Sequence, residues 1–368
     1  MCMCVCVFDA TPTPSTAISI GDNPLSVAQK WLEDQGLPET YREQVVEFLV
    51  QNTGGSSRPS AQADLYQNVD PFTGGGAYQP GGGSGGGKVA SQSRLRHIPK
   101  SGMIYYETVP VANLRKKIVE FWVDVNGGSE GLDADERCLD QLLEGMGDNP
   151  PHGGASKADP ASYEFLGRIL QWPQEKLFPC IDIVRMLVLS TDGAEFFAKD
   201  EGRRLLQKII SSAFVPDASV PTKLVTLKLL CNCFRHRKLL ESVSSDFGDI
   251  MNNFSSMAEA PNKHVRLALS NLIVNLSVFC SDGANFPPVG GGQEALSFQC
   301  ASLAVEMLKH SIADDVEPTF RALVCVGTLA VKVSKDMIRA LDVKNLAAQY
   351  AGSGGKVSEA ASDVSSLL

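Results

Sequence analysis

"PNKHVRLALSNLIVNLSVF", residues 261–279, opens on a proline and then runs through apolar side chains with few interruptions. Proline suits a helix start, because its fixed φ is helical and its missing N–H has no partner there anyway. Three other stretches share this form: "KLFPCIDIVRMLVLS" (176–190), "PTKLVTLKLLCNCF" (221–234) and "EPTFRALVCVGTLAVKV" (317–333). Their prolines, Pro179, Pro221, Pro261 and Pro318, stand 42, 40 and 57 residues apart. The last step is lengthened by "SDGANFPPVGGG", which reads as a loop. Between the apolar helices lie amphipathic ones: "GRRLLQKIISSAF", "SDFGDIMNNFSSMA", "EALSFQCASLAVEML" and "KDMIRALDVKNLAAQY". A period near 40 with two or three helices per unit marks an armadillo or HEAT array. Such units bury a core only by stacking, and the stack presents a concave face. The most apolar helix of each unit is expected on the inside.

Polar residues inside those apolar helices stand out. Arg185 sits in "CIDIVRMLVL", Asn232 in "LLCNCF", Asn275 in "LIVNLSVF" and Arg321 in "PTFRALVC". Lys228 and Asn271 lie one turn earlier on the faces of Asn232 and Asn275. A polar group in such a setting must find a partner or reach water. One such residue is most simply a paired core group. Four on successive helices suggest a lined groove, with side chains facing solvent in the free chain. Amides hold the backbone of an extended peptide, and guanidinium groups take carboxylates in bidentate fashion. The six residues together predict a site for an extended acidic peptide.

The rest of the chain differs in composition. Residues 53–100 are dense in Gly, Ser, Pro and Gln and read as a flexible linker. Within it, "DPFTGGGAYQPGGGSGGG" (70–87) carries two aromatics, Phe72 and Tyr78, suited to clipping the linker onto a domain. Residues 1–52 read as a small α+β piece: strands at "VFDA" and "TAISI", then helices in "DNPLSVAQKWLEDQGL" and "PETYREQVVEFLVQNT". Tyr41, Val45, Phe48 and Leu49 share one face of the second helix. The whole is mainly all-α, with the solenoid at 101–368.

Composition removes several functions. A net charge of −9 argues against nucleic acid and against an anionic membrane surface. There is no run of about 18 apolar residues of the kind that spans a bilayer. No G-x-S-x-G, Walker A or H-E-x-x-H motif occurs, and no cofactor is called for. The ten cysteines include no C-x-x-C pair, and Cys231, Cys233 and His236 have the wrong spacing for zinc. Cys180, Cys280, Cys300 and Cys325 read as small buried hydrophobes, which fits a reduced cytoplasmic or nuclear setting.

"DPFTGGGAYQPGG" resembles the linker motif of the phospholipase A-2-activating protein family. The piece before it resembles the second half of that family's ubiquitin-binding PFU domain. "RHIPKSGMIYYETVPVANLRKKIVEFW" and the apolar helices resemble its C-terminal PUL domain. The resemblance implies an armadillo-like adaptor, not an enzyme, whose PUL domain binds the acidic C-terminal tail of the valosin-containing AAA ATPase. Arg185, Asn232, Asn275, Arg321, Lys228 and Asn271 are the residues expected to hold that tail. Tyr41 and Phe48 are the ubiquitin-binding candidates. The family's WD40 propeller and the first PFU strands are absent from the sequence, which suggests a truncated start and weak ubiquitin binding. PUL domains also occur beside thiol peptidases, so a thiol hydrolase of ubiquitin-like conjugates is the enzymatic alternative. A helical-repeat scaffold for an unrelated partner is the other.

Overall fold

The computed structural model describes residues 95–144, 146, 159–215, 217–282, 292–311 and 315–368, all within one compact unit, 90–368. The readings on the piece at 1–52, on the linker up to residue 94, and on Tyr41, Phe48, Phe72 and Tyr78 lie outside the described residues.

Fifteen α-helices and no strand occur among the described residues. Three come first: α1 (Val111–Asn126), α2 (Leu132–Leu143) and α3 (Pro160–Ile169). Next are α4 (Phe178–Leu187), α5 (Thr191–Phe197), α6 (Asp200–Ser212), α7 (Val220–Asn232), α8 (Arg237–Ser244) and α9 (Phe247–Phe254). Then follow α10 (Lys263–Ser281), α11 (Gln293–Lys309), α12 (Val316–Lys332), α13 (Lys335–Ala340), α14 (Val343–Ala348) and α15 (Gly355–Leu367).

The chain chooses these starts for local reasons. Pro179 and Pro221 sit in the first turns of α4 and α7. Pro261 instead stands just before Asn262, whose side chain accepts from the His264 N–H at 2.9 Å and caps α10. Ser219 caps α7 in the same way, accepting from Thr222 at 3.2 Å. An oxygen there satisfies donors that the helix cannot. "KDMIRALDVKNLAAQY" forms two helices rather than one. It breaks at Leu341–Asp342, where Asp342 adopts φ 55°, a left-handed conformation that Asp tolerates better than most residues.

The array is an armadillo-like helical solenoid. Helices α4, α7, α10, α12 and α15 pack each against the next and form its inner layer. The first four are the apolar helices marked by proline; α15, rich in Ala and Ser, completes the layer. Helix α10, with 19 residues, has the length and apolar composition of a membrane span, yet 83% of its most apolar stretch is buried inside the protein. Its neighbours α7, α11 and α12 cover it. A helix apolar on all sides belongs in the centre of such a stack.

One segment is neither helix nor strand. Residues 98–110 lead into α1 and lie along the inner layer. Its two ends are anchored in the core: Ile98 is 4% and Val109 2% exposed. The linker expected to reach residue 100 therefore gives way to packed structure before that point.

Candidate peptide-binding ladder

The inner helices meet this segment through a row of side chains. The Asn275 Oδ1 accepts from the Ile104 N–H at 2.7 Å, and its Nδ2 donates to the Ile104 carbonyl at 2.8 Å. Asn232, one helix earlier, does the same to Tyr106, at 2.7 and 2.9 Å. Each amide thus takes both polar groups of one residue. The two residues held are alternate ones, which is the period of an extended chain. Arg185 on α4 donates to the carbonyls of Tyr106 (2.5 Å) and Thr108 (3.0 Å), while its Nε pairs with Asp182 at 2.5 Å.

The row continues in the other direction. The Thr328 hydroxyl on α12 accepts from the Lys100 N–H at 2.9 Å. The Asp363 carboxylate on α15 accepts from the N–H groups of Arg96 and His97, at 2.8 and 2.9 Å. Glu359, one turn earlier, pairs with the side chains of Arg96 (2.7 Å) and His97 (2.9 Å). The strap therefore crosses the helices in reverse order, from α15 at residue 96 to α4 at residue 108. Gly327 makes room for it: a Cβ there would stand 2.6 Å from the Ile98 Cδ1.

The two tyrosine side chains of the strap are held as well. The Tyr106 hydroxyl accepts from the Asn271 Nδ2 at 2.6 Å, and the Lys228 ammonium lies 5.3 Å from the ring centroid. Burial pushes the Tyr106 phenol well up, with a smaller push from Cys231, against the pull of the Asn271 hydrogen bond. Burial holds Lys228 below its usual range; Arg185 adds repulsion and Asp182 opposes both. Tyr105 packs under Arg235, whose guanidinium lies 5.2 Å from its ring centroid and 3.8 Å from Glu107.

Five of the six expected residues, Arg185, Lys228, Asn232, Asn271 and Asn275, meet on this strap. Four of them do not face solvent, Arg185 being 3% exposed, Asn271 5%, and Asn232 and Asn275 0%, while Lys228 is half-buried. The expected open groove holds the chain's own residues 98–109. Among the described residues Arg321 makes no hydrogen bond to the strap; it pairs at 2.9 Å with Glu317 one turn before it, and its charge still reaches Tyr106. Thr328, Asp363 and Gly327 went unnoticed in the sequence. A glycine inside the apolar run "VCVGTLAV" and an acid within "AASDVSSLL" were the available signals.

The two cysteines and the histidine weighed for zinc are committed to the fold. Cys231 and Cys233 are buried, and His236 bonds to the Leu189 carbonyl at 2.8 Å. No group of three metal-ligating side chains occurs among the described residues. Burial raises the Cys180 and Cys231 thiols well above their usual range and pushes Cys233 up to about 12.

The inner layer of this helical solenoid grips an extended segment of its own chain by its backbone. The chain belongs to the PUL domain family, which matches residues 98–364. The family "PFU (PLAA family ubiquitin binding)" matches residues 5–57. This is the pair of domains implied by the resemblance to the phospholipase A-2-activating protein family. Phospholipase A-2-activating protein of Xenopus laevis is 22% identical over 88% of this chain and 43% of its own length. Protein DOA1 of Saccharomyces cerevisiae is 24% identical over 75% of this chain and 34% of its own. The chain thus spans less than half the length of these relatives. The solved "Crystal structure of PUL and PFU(mutate) domain" is similar in fold, with a TM-score of 0.50 at 16% identity, covering 99% of this chain and 96% of that one.

Proposed function

We propose that the chain is a non-enzymatic adaptor of the ubiquitin–proteasome system. Its PUL unit docks the acidic C-terminal tail of the valosin-containing AAA ATPase, and its N-terminal region binds ubiquitin. The observation that carries the first part is the ladder: two buried amides grip an extended segment, with the cations Arg185 and Lys228 beside it. Arg321, on the next inner helix but one from α7, carries a third positive charge, which is offset by Glu317 and exchangeable because that pair is partly exposed. The PFU match supports ubiquitin as the second partner. Burial of the Cys231 and Cys233 thiols, which raises both, speaks against either as a hydrolase nucleophile, since the thiolate is the reactive form.

A fluorescent acidic peptide copying the segregase tail, titrated into the whole chain, tests the docking. Binding should weaken with salt. Lys228→Ala and Arg321→Ala should each lower affinity roughly tenfold, as expected for a charge-assisted bond. Undiminished binding by both folded variants would remove the site from this face. Arg185 is a poorer probe, because its guanidinium is committed to the strap and to Asp182.

A further inference from the structure

The ladder already has a ligand, and that ligand is built like a guest. Ile104 and Tyr106 are held by peptide groups, which every extended chain offers. The amides beneath are fully buried, yet the strap above them is not. Met103 to Tyr106 are half-buried, and Ser101, Gly102, Glu107 and Thr108 are exposed. Ile98 and Val109 anchor its ends and residues 103–106 pack on the core with one side only, so the exposed stretches between mark a segment that opens locally, ahead of the core. The fit is also incomplete. Asn271 is 5% exposed, and its Oδ1 has no hydrogen-bond partner among the described residues, although its Nδ2 reaches the Tyr106 hydroxyl. Turning the amide over exchanges which of its two groups goes unpaired. A better ligand would satisfy both.

We propose that residues 98–109 are an exchangeable intramolecular ligand, and that the ladder accepts in their place an extended peptide from a partner, with a tyrosine where Tyr106 now lies. Asn232 and Asn275 take the peptide backbone; Asn271 and Lys228 take the phenol. The strap competes in cis at an effective concentration on the order of millimolar, so the partner's apparent affinity is set by the fraction of chains in which it is open. Arg185, released from two strap carbonyls, becomes free for the guest. This deepens the docking reading and rests on it only for the identity of the guest.

The test uses a probe independent of that identity: a labelled peptide copying residues 97–110, HIPKSGMIYYETVP. It is titrated into the whole chain and into the double variant Ile104→Pro/Tyr106→Pro. That variant loses the two N–H groups that Asn232 and Asn275 accept from, and keeps every ladder side chain. The expected result is binding at least tenfold tighter to the variant than to the unmodified chain. Equal binding, or none to a folded variant, overturns the proposal. The acidic tail peptide is run in parallel. If it binds neither protein while the strap peptide binds the variant, exchange stands and the tail-docking reading falls. Should the variant fail to fold, hydrogen exchange in the unmodified chain decides. The Ile104 and Tyr106 amides should exchange at least tenfold faster than those of Leu272 and Val274 in α10; exchange together with them overturns the proposal.

Discussion

Two polar sites are buried to similar degrees in this array, and they are built in opposite ways. Arg266 on α10 donates to Asp315 in bidentate fashion, at 2.5 and 2.7 Å, and to the Ala260 carbonyl at 2.5 Å. Every partner there belongs to the packed framework. Asn232 and Asn275 are buried as completely, and each also donates to a framework carbonyl, of Arg185 at 2.9 Å and of Cys231 at 3.4 Å, but the backbone each one grips lies 126 and 171 residues away on the half-exposed strap. Burial alone therefore does not tell a structural polar group from a binding one. What separates them is whether the partner can leave.

The comparison breaks most visibly at the ion pair. Arg266→Ala strands a buried carboxylate, at a cost of roughly 3–5 kcal/mol. Urea denaturation should show that loss as a lower midpoint. Replacing both members by hydrophobic residues, Arg266→Met with Asp315→Leu, should recover most of it, because no uncompensated charge remains. A double variant as unstable as the single one would mean that the pair stabilises the fold by itself.

Gly327→Ala comes next. The new methyl would meet Ile98 at 2.6 and 2.8 Å, and overpacking of that kind costs about 1–3 kcal/mol. The gain in helix propensity, up to about 1 kcal/mol, works against it. We expect a net loss near 1 kcal/mol in thermal unfolding, reduced when Ile98→Val removes the nearer methyl. A stabilised Gly327→Ala chain would show that the strap moves aside freely at that point.

Asn275→Ala should cost less than the ion pair, about 1 kcal/mol. The two groups it grips most closely belong to Ile104, which is half-buried and within reach of water; its longer bond to the Cys231 carbonyl, at 3.4 Å, is the weaker loss. Its signature is selective: the Ile104 amide should lose protection from hydrogen exchange, while Tyr106, held by Asn232, keeps most of its own. Equal loss at both would make the strap one cooperative unit.

Much of this was legible in the sequence, for a physical reason. Apolar helices marked by proline announce a buried layer, and a polar residue inside one must have a partner. That logic marked Asn232, Asn275 and Arg185 as groups that hold an extended peptide. It could not supply the occupant, since pairing across more than a hundred residues leaves no periodicity to read. "IPKSGMIYYETV" looks like an ordinary lead-in to α1. Arg321 shows the opposite failure. Its partner Glu317 stands four residues earlier on the same helix, a spacing visible in the sequence that settles its contact locally. Helix α15 escaped notice because Ala and Ser pack closely without forming a conspicuous apolar run.

The smallest effect concerns the strap's first anchor and depends on pH. Glu359 is held below the usual carboxylate range, chiefly by the hydrogen bond with His97 and then by the charge of Arg96. A carboxyl group whose folded pKa is depressed stabilises the fold above its unfolded pKa and loses that contribution as pH falls through the folded one. The anchor at residues 96–97 should therefore hold at neutral pH and loosen only below the normal titration range of a glutamate. The pair is exposed, so solvent screens it and global stability should barely respond. The local reading is sharper. Nuclear magnetic resonance should show the Arg96 and His97 amides shifting and exchanging faster in that acidic window, ahead of Ile104 and Tyr106. Glu359→Gln should flatten that dependence, while the hydrogen bonds from both N–H groups to the Asp363 carboxylate stay in place. Simultaneous loss at residue 96 and at residue 106 would mean that the strap undocks from α15 to α4 in one step, with the ion pair as its latch.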